Sequence, residues 1–144
     1  MARSSRSPMV RTLALLRQQG YYPWKTESYN SFSGRRNDLY RIIDLIFLTP
    51  DNTVGVQVCG ADFSPHVKKL LDEESFNTRF WLRTKGNELI LIGWRKLKHK
   101  RGGKLMVMTP RISFITMDKG RNLILTEVGY TWLRNRKRKI NKKK

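Results

Sequence analysis

The stretch "RIIDLIFL" holds one acid, Asp44, inside an apolar run, and the next run, "VGVQVCG", sets Gln57 and Cys59 among valines. A carboxylate buried in a strand is costly unless a cation compensates it. An arginine is one such cation, and Arg35, Arg36 and Arg41 are close in sequence. A metal ion is the other, and the company of Asp44 favours it. Two strands of a hairpin place Asp44 and Gln57 side by side on one sheet face. Gln57 then offers a carbonyl oxygen, a tolerable ligand for Mg²⁺. Glu27, on the preceding strand, supplies a second carboxylate. Hard cations with oxygen ligands serve phosphodiester hydrolysis.

Other reactive side chains have ordinary explanations. Cys59 and His66 suggest a Cys–His nucleophile, but no third orienting group is evident and a buried cysteine usually acts as a small hydrophobe. One Cys and two His are too few for a structural zinc site. Asp38 reads as a loop-capping or arginine-paired acid, with the "RRNDLY" setting keeping a ligand role open. Trp24, Trp81 and Trp94 read as core. "RKLKHKRGGK" carries Arg95, Lys96, Lys98, Lys100, Arg101 and Lys104, and Gly102-Gly103 lets backbone approach a phosphate. It reads as a nucleic-acid contact rather than a solvated turn.

These residues need elements to hold them. Ser7-Pro8 opens a helix, with Ser as N-cap and Pro in the first turn, and Gly20 stops it. "YYPWKTES" predicts a first strand with Lys25 and Glu27 on one face, followed by the loop "SFSGRRN". Residues 42–48 predict a second, central strand and 54–59 a third, joined by the turn "TPDNT". Ser64-Pro65 repeats the helix start, with Val67, Leu70 and Leu71 as its core stripe. A further helical piece carries Phe76, Phe80 and Trp81 and ends near Gly86. Residues 89–94 predict a fourth strand, parallel to the third through a right-handed helical crossover. Two edge strands at 104–108 and 111–117 and a short helix over 123–133 complete the chain. Residues 134–144 hold eight Lys and Arg and no acid, which predicts a disordered basic tail after a single domain of residues 1–133.

The totals narrow the partners. The 144 residues carry 30 Lys and Arg against 11 Asp and Glu, a net charge of +19. A polyanion is the expected partner, nucleic acid ahead of an anionic membrane surface. No apolar stretch is long enough to span a bilayer, and no signal peptide is legible. The single cysteine fits a reducing, cytoplasmic compartment.

The order αβββαβ, the acid on the second strand and the glutamine on the third together resemble the PD-(D/E)XK nuclease superfamily. The closest resemblance is to small phage and prokaryotic members of restriction-endonuclease-like type related to Holliday junction resolvases. "LLRQQGYYPWKTESYN", "RRNDLYRIIDLI", "VGVQVCG", "VKKL" and "GWRKLKHKRGGK" followed by "TPR" carry it, over roughly residues 10–112. The resemblance implies an α/β fold with a mixed central sheet, here extended by C-terminal strands and the basic tail. It implies a nucleoid-associated or phage-encoded endonuclease that uses Mg²⁺ or Mn²⁺. Asp44 matches the family's metal-binding Asp and Gln57 its Glu/Gln position. Cys59 departs from the pattern, standing where a lysine would orient the attacking water. Lys68, on the following helix, is the preferred replacement, with Lys69 and Lys25 as alternatives. The expected catalytic set is Asp44, Glu27, Gln57 and Lys68, with Asp44, Glu27 and Gln57 on the metal. Arg35, Arg36, Arg95, Lys96, Lys98, Lys100, Arg101 and Lys104 would grip nucleic acid, DNA ahead of RNA. A homodimer is required if branched DNA is cut. The alternative is a catalytically inactive nuclease-fold protein that binds nucleic acid or a nucleoprotein assembly. A basic protein of a ribosome-like assembly is a third reading, resting on the tail.

Overall fold

The computed structural model describes residues 6–98, 101–129 and 133. Helix α1 spans Pro8–Gln18, and the Ser7 hydroxyl accepts from Val10 N at 3.1 Å, as its cap position requires. Six strands form one mixed sheet in the order β1-β4-β5-β6-β7-β8. They are β1 (Trp24–Lys25), β4 (Leu45–Leu48), β5 (Thr53–Cys59), β6 (Asn87–Lys98), β7 (Met106–Met117) and β8 (Leu123–Val128). A separate hairpin pairs β2 (Ser28–Asn30) with β3 (Arg35–Asn37). β5 and β6 are parallel, and the other neighbouring pairs of the large sheet are antiparallel. The crossover from β5 to β6 runs through α2 (Phe63–Lys68), a π-helical turn (Lys69–Glu73) and α3 (Ser75–Leu82). None of the described helices is long and apolar enough to cross a membrane.

Period-two alternation on the central strands builds two cores. Val54, Val56, Ile90, Ile92 and Trp94 pack toward Leu15 and Leu16 of α1. Leu89, Leu91 and Cys59 pack on the other face with Phe63, Leu70 and Trp81 of the crossover. Strands covered on both faces read as continuous apolar runs, which is why "LILI" shows no alternation of polarity. The two tryptophans of these layers place their ring N–H groups well. Trp94 Nε1 donates to Thr12 Oγ1 of α1 at 2.9 Å, and Trp81 Nε1 to the Glu88 carbonyl at 2.8 Å. Trp24 is exposed instead, beside Tyr22.

Several sequence expectations shift. The first strand breaks in two at Thr26–Glu27, so that β1 and β2 belong to different sheets. The predicted loop after it folds as the β2–β3 hairpin, with Gly34 left-handed at its turn. Regular pairing of the second strand starts at Leu45 rather than at residue 42. Helix α2 begins at Phe63 behind Asp62, so Ser64 is not its cap. The basic turn is shorter than expected, because Arg95–Lys98 continue β6 and pair with Met106–Thr109. The two predicted edge strands are one, and Pro110 lies within it. That proline sits beyond the last β8 pair, Ile112 with Val128, where one edge of β7 is open and a missing N–H is tolerated. Residues 123–128 form strand β8 and not a helix. Its alternation, with Ile124 outward and Leu125 against the core, has period two. The basic tail lies outside the described residues.

Gly55 shows how closely the crossover sits on the sheet. A Cβ there would lie 2.7 Å from Ile43 Cδ1 and 3.3 Å from the Trp81 ring. We therefore predict that Gly55→Val destabilises the domain by about 1–3 kcal/mol, because the branched side chain overpacks a full layer. Urea denaturation measures this, and a midpoint unchanged from wild type would contradict the packing described.

Candidate metal centre

Asp44 lies one residue before β4. Leu45 pairs with Val56, so the next positions along, Asp44 and Gln57, stand opposite each other. Asp44 Oδ2 accepts from Gln57 Nε2 at 2.5 Å and from Val58 N at 2.7 Å. The juxtaposition expected from the hairpin is therefore present, and the amide of Gln57 fixes the carboxylate. Both donors go to one oxygen.

A tight turn brings in a second acid. Ile42 N donates to the Leu39 carbonyl at 3.1 Å, and Leu39 and Ile43 form an antiparallel bridge. The two central residues, Tyr40 and Arg41, have φ of 52° and 64°. This is the left-handed hairpin geometry normally given to Asn-Gly, and side chains with a Cβ hold it at a cost. With Leu39 facing Ile43, Asp38 and Asp44 flank the bridge as the next cross-strand pair. Like charges placed opposite one another are destabilising.

A bulge aims the third acid. Thr26 N and Glu27 N both donate to the Asp44 carbonyl, at 2.9 and 3.0 Å. Two residues thus oppose one, the pattern of a β-bulge, which ends β1 and redirects the side chains around it. Ligand oxygens of Glu27, Asp38 and Asp44 all lie within 4.8 Å of one another, so the group could hold a metal ion. Glu27, Asp44 and Lys25 also line a cleft of about 300 Å³ with the first turn of α1, Val58 and Cys59.

The charges at this site conflict. Burial first, then the hydrogen bond and repulsion from Asp38, push the Asp44 carboxyl up to about 7, against the opposing pull of Val58 N–H and Gln57. Asp44 therefore holds a proton, or a cation, near neutrality. Lys69 Nζ lies 3.3 Å from Asp38 Oδ2, and Lys25 Nζ lies 3.5 Å from Glu27 Oε1. Gln57 Oε1 is buried and has no hydrogen-bond partner among the described residues. A buried carbonyl oxygen left without a donor is what a cation ligand would look like before the cation arrives.

Of the residues singled out in the sequence, Glu27, Asp44 and Gln57 come together. Lys68 and Lys69 both line an outer cleft with Ser64, Pro65 and His66, and of the two it is Lys69 that reaches an acid of the site, Asp38. Lys69 opens the π-helical turn, a local feature often found at functional sites. Asp38, which the sequence favours as a loop-capping or arginine-paired acid while leaving a ligand role open, joins Glu27 and Asp44. Cys59 is buried, and its thiol is pushed up to about 12, by burial first and then by the Asp62 and Asp44 carboxylates. It stays protonated and does not act as a nucleophile near pH 7. With Asp62 and His66 it forms a second group whose ligand atoms could hold a metal.

Among the basic candidates, Arg95, Lys96 and Lys98 are exposed on β6. β5 stops pairing at Gly93, so β6 and β7 continue beyond it as a two-stranded ribbon. Arg101 and Lys104 are exposed at its turn, and Arg35 is exposed on β3. Arg36 pairs with Tyr29 through the backbone, and Lys100 lies outside the described residues. Set against known proteins, the chain matches no family model, no curated protein and no solved structure.

The raised Asp44 carboxyl sets a pH dependence. The folded state keeps a proton that the unfolded chain loses at about 3.8. That contribution is full below about 3.8 and lost as pH rises through about 7. In chelator, wild type should lose melting temperature relative to Asp44→Asn as pH rises across this window. At alkaline pH the variant should be the more stable by a few degrees. Parallel pH profiles for the two proteins would contradict the assignment of the proton to Asp44.

Proposed function

We propose that the protein is a metal-dependent nuclease that hydrolyses phosphodiester bonds, with DNA ahead of RNA as substrate. The observation that carries this reading is the cross-strand placement of Asp38 against Asp44, with Glu27 beside them. Such an arrangement wastes stability unless a cation uses it. The element order, with a helix, antiparallel strands, a helical crossover and a parallel strand, supports the restriction-endonuclease-like core. Mg²⁺ or Mn²⁺ would be held by Asp38, Asp44 and Glu27, with Gln57 Oε1 as a neutral ligand. When bound, such a cation supplies Lewis acidity and lowers the pKa of water at the site.

The chain's own residues divide the remaining work. Gln57 and Val58 N–H orient the Asp44 carboxylate. Lys69, tethered by Asp38, is the ammonium group placed to stabilise charge on the phosphate, the role the resemblance assigns to a lysine at position 59. Lys25, tethered by Glu27, is the second candidate. The exposed cations of the β6–β7 ribbon hold the phosphate backbone, and a two-stranded ribbon fits the major groove of a duplex. The competing reading is a binding protein on a nuclease-like frame. The same two ion pairs favour it, because Lys25 and Lys69 could neutralise the acids without a metal.

Labelled four-way junction, duplex and single-stranded substrates, with Mg²⁺, Mn²⁺ or chelator, separate the two. Metal-dependent cutting is expected, lost by orders of magnitude in Asp44→Asn and Asp38→Asn with folding intact. Lys69→Ala should lower the rate by about 10²–10³-fold, as loss of a charge-stabilising donor does. Lys68→Ala should leave it near wild type. Binding without cutting on every substrate would move the competing reading ahead.

A further inference from the structure

Helix α3 presents two stripes. Thr78 and Trp81 face the core. Phe76, Phe80 and Arg83 follow one another at i, i+4 and i+7 on a different stripe. Phe76 is 77% exposed. Its ring lies 6.2 Å from that of Phe80 with 23° between the planes, and the Arg83 guanidinium sits 4.3 Å from the Phe80 centroid. Arg79 and Arg121 border the same surface, with Arg79 Nε donating to the Arg121 carbonyl at 2.8 Å. These side chains and Met117 line a depression of about 210 Å³, and none of them is an acid. Exposed aromatic rings in a row contribute little to the fold and mark a contact surface. Three guanidinium groups around them choose the kind of contact. A base offers its π-face to the rings while its phosphate meets the arginines.

The surface also adjoins the carboxylates. Tyr40 belongs to the left-handed turn that sets Asp38 opposite Asp44, and its ring lies 5.8 Å from that of Phe80. We infer that Phe76 and Phe80, edged by Arg79, Arg83 and Arg121, form a stacking platform for unpaired bases next to the metal centre. The nucleic acid handled here then carries a single-stranded stretch on this side of the site. The inference deepens the nuclease reading and rests only on its nucleic-acid half.

The test is binding in chelator, where no cleavage occurs. The probes are labelled oligothymidylate, an abasic oligomer of the same length, and a duplex. Phe76→Ala should weaken oligothymidylate binding about ten-fold, the range found when one base loses an aromatic partner. Its affinity for the abasic oligomer and for the duplex should stay within roughly two-fold of wild type, with an unchanged salt slope. Phe80→Leu, which keeps an apolar side chain but removes the ring, should act in the same direction. Because binding is read in chelator, where nothing is cut, a failed cleavage reading leaves this result standing. Equal losses on oligothymidylate and abasic oligomer would reduce the patch to a charge effect and overturn the proposal. Undiminished oligothymidylate binding by Phe76→Ala would overturn it too. So would a change in the free protein's oligomeric state, which would make the surface a contact between copies.

Discussion

The two hydrogen bonds that Gln57 Nε2 and Val58 N give to one oxygen of Asp44 are the constraint on which the site depends. They join the residue just before β4 to the C-terminal part of β5 and hold a buried carboxylate in a single orientation. The Asp44 backbone serves as well, since its carbonyl takes both N–H groups of the bulge that carries Glu27. One residue therefore fixes two of the three acids. The third, Asp38, is fixed by the turn through Tyr40 and Arg41, whose left-handed backbone is unfavourable for side chains of that size.

Each of these devices costs stability. A buried acid, a like-charged neighbour opposite it and a strained turn all oppose folding, and the surrounding layers compensate. Ile42 and Ile43 are fully buried beside the turn, and Leu45, Val56, Ile90 and Ile92 fill the opposite face. Stability given up in one place and recovered around it is characteristic of sites that act on something. Lys25 and Lys69 reduce the repulsion from outside, each holding one acid. Neither contacts Asp44, whose carboxyl is left to a proton or a cation.

Some of this was legible in the sequence and some was not, for physical reasons. The hairpin between residues 42–48 and 54–59 predicts Asp44 beside Gln57, because the apolar pattern and the length of the connecting turn fix strand register. The Ser7-Pro8 cap and the parallel pairing of β5 with β6 follow equally from local chemistry and connection length. Asp38 was obscured because its partner is set by a turn that lacks the usual Gly or Asn. Glu27 was placed by simple alternation, although a bulge determines its aim. Regular helix spacing favours Lys68 over Lys69, and the π-helical turn that begins at Lys69 ends that spacing. The expected helix over 123–133 gives way to strand β8 at Leu123–Val128, six residues being too few to separate the two periods. The ribbon beyond Gly93 was hidden because its charged residues look like a turn until β7 is known to pair with them.

The central claim is that Asp38, Asp44 and Glu27 form a site for a divalent cation that displaces a proton. Calorimetric titration with Mn²⁺, in buffers of different ionisation enthalpy, measures both binding and proton release. Binding with release of a proton is expected at pH below about 7, no release well above it, and loss of both in Asp44→Asn. Mn²⁺ binding that is unaffected by Asp44→Asn, or the absence of binding at any pH, would contradict it.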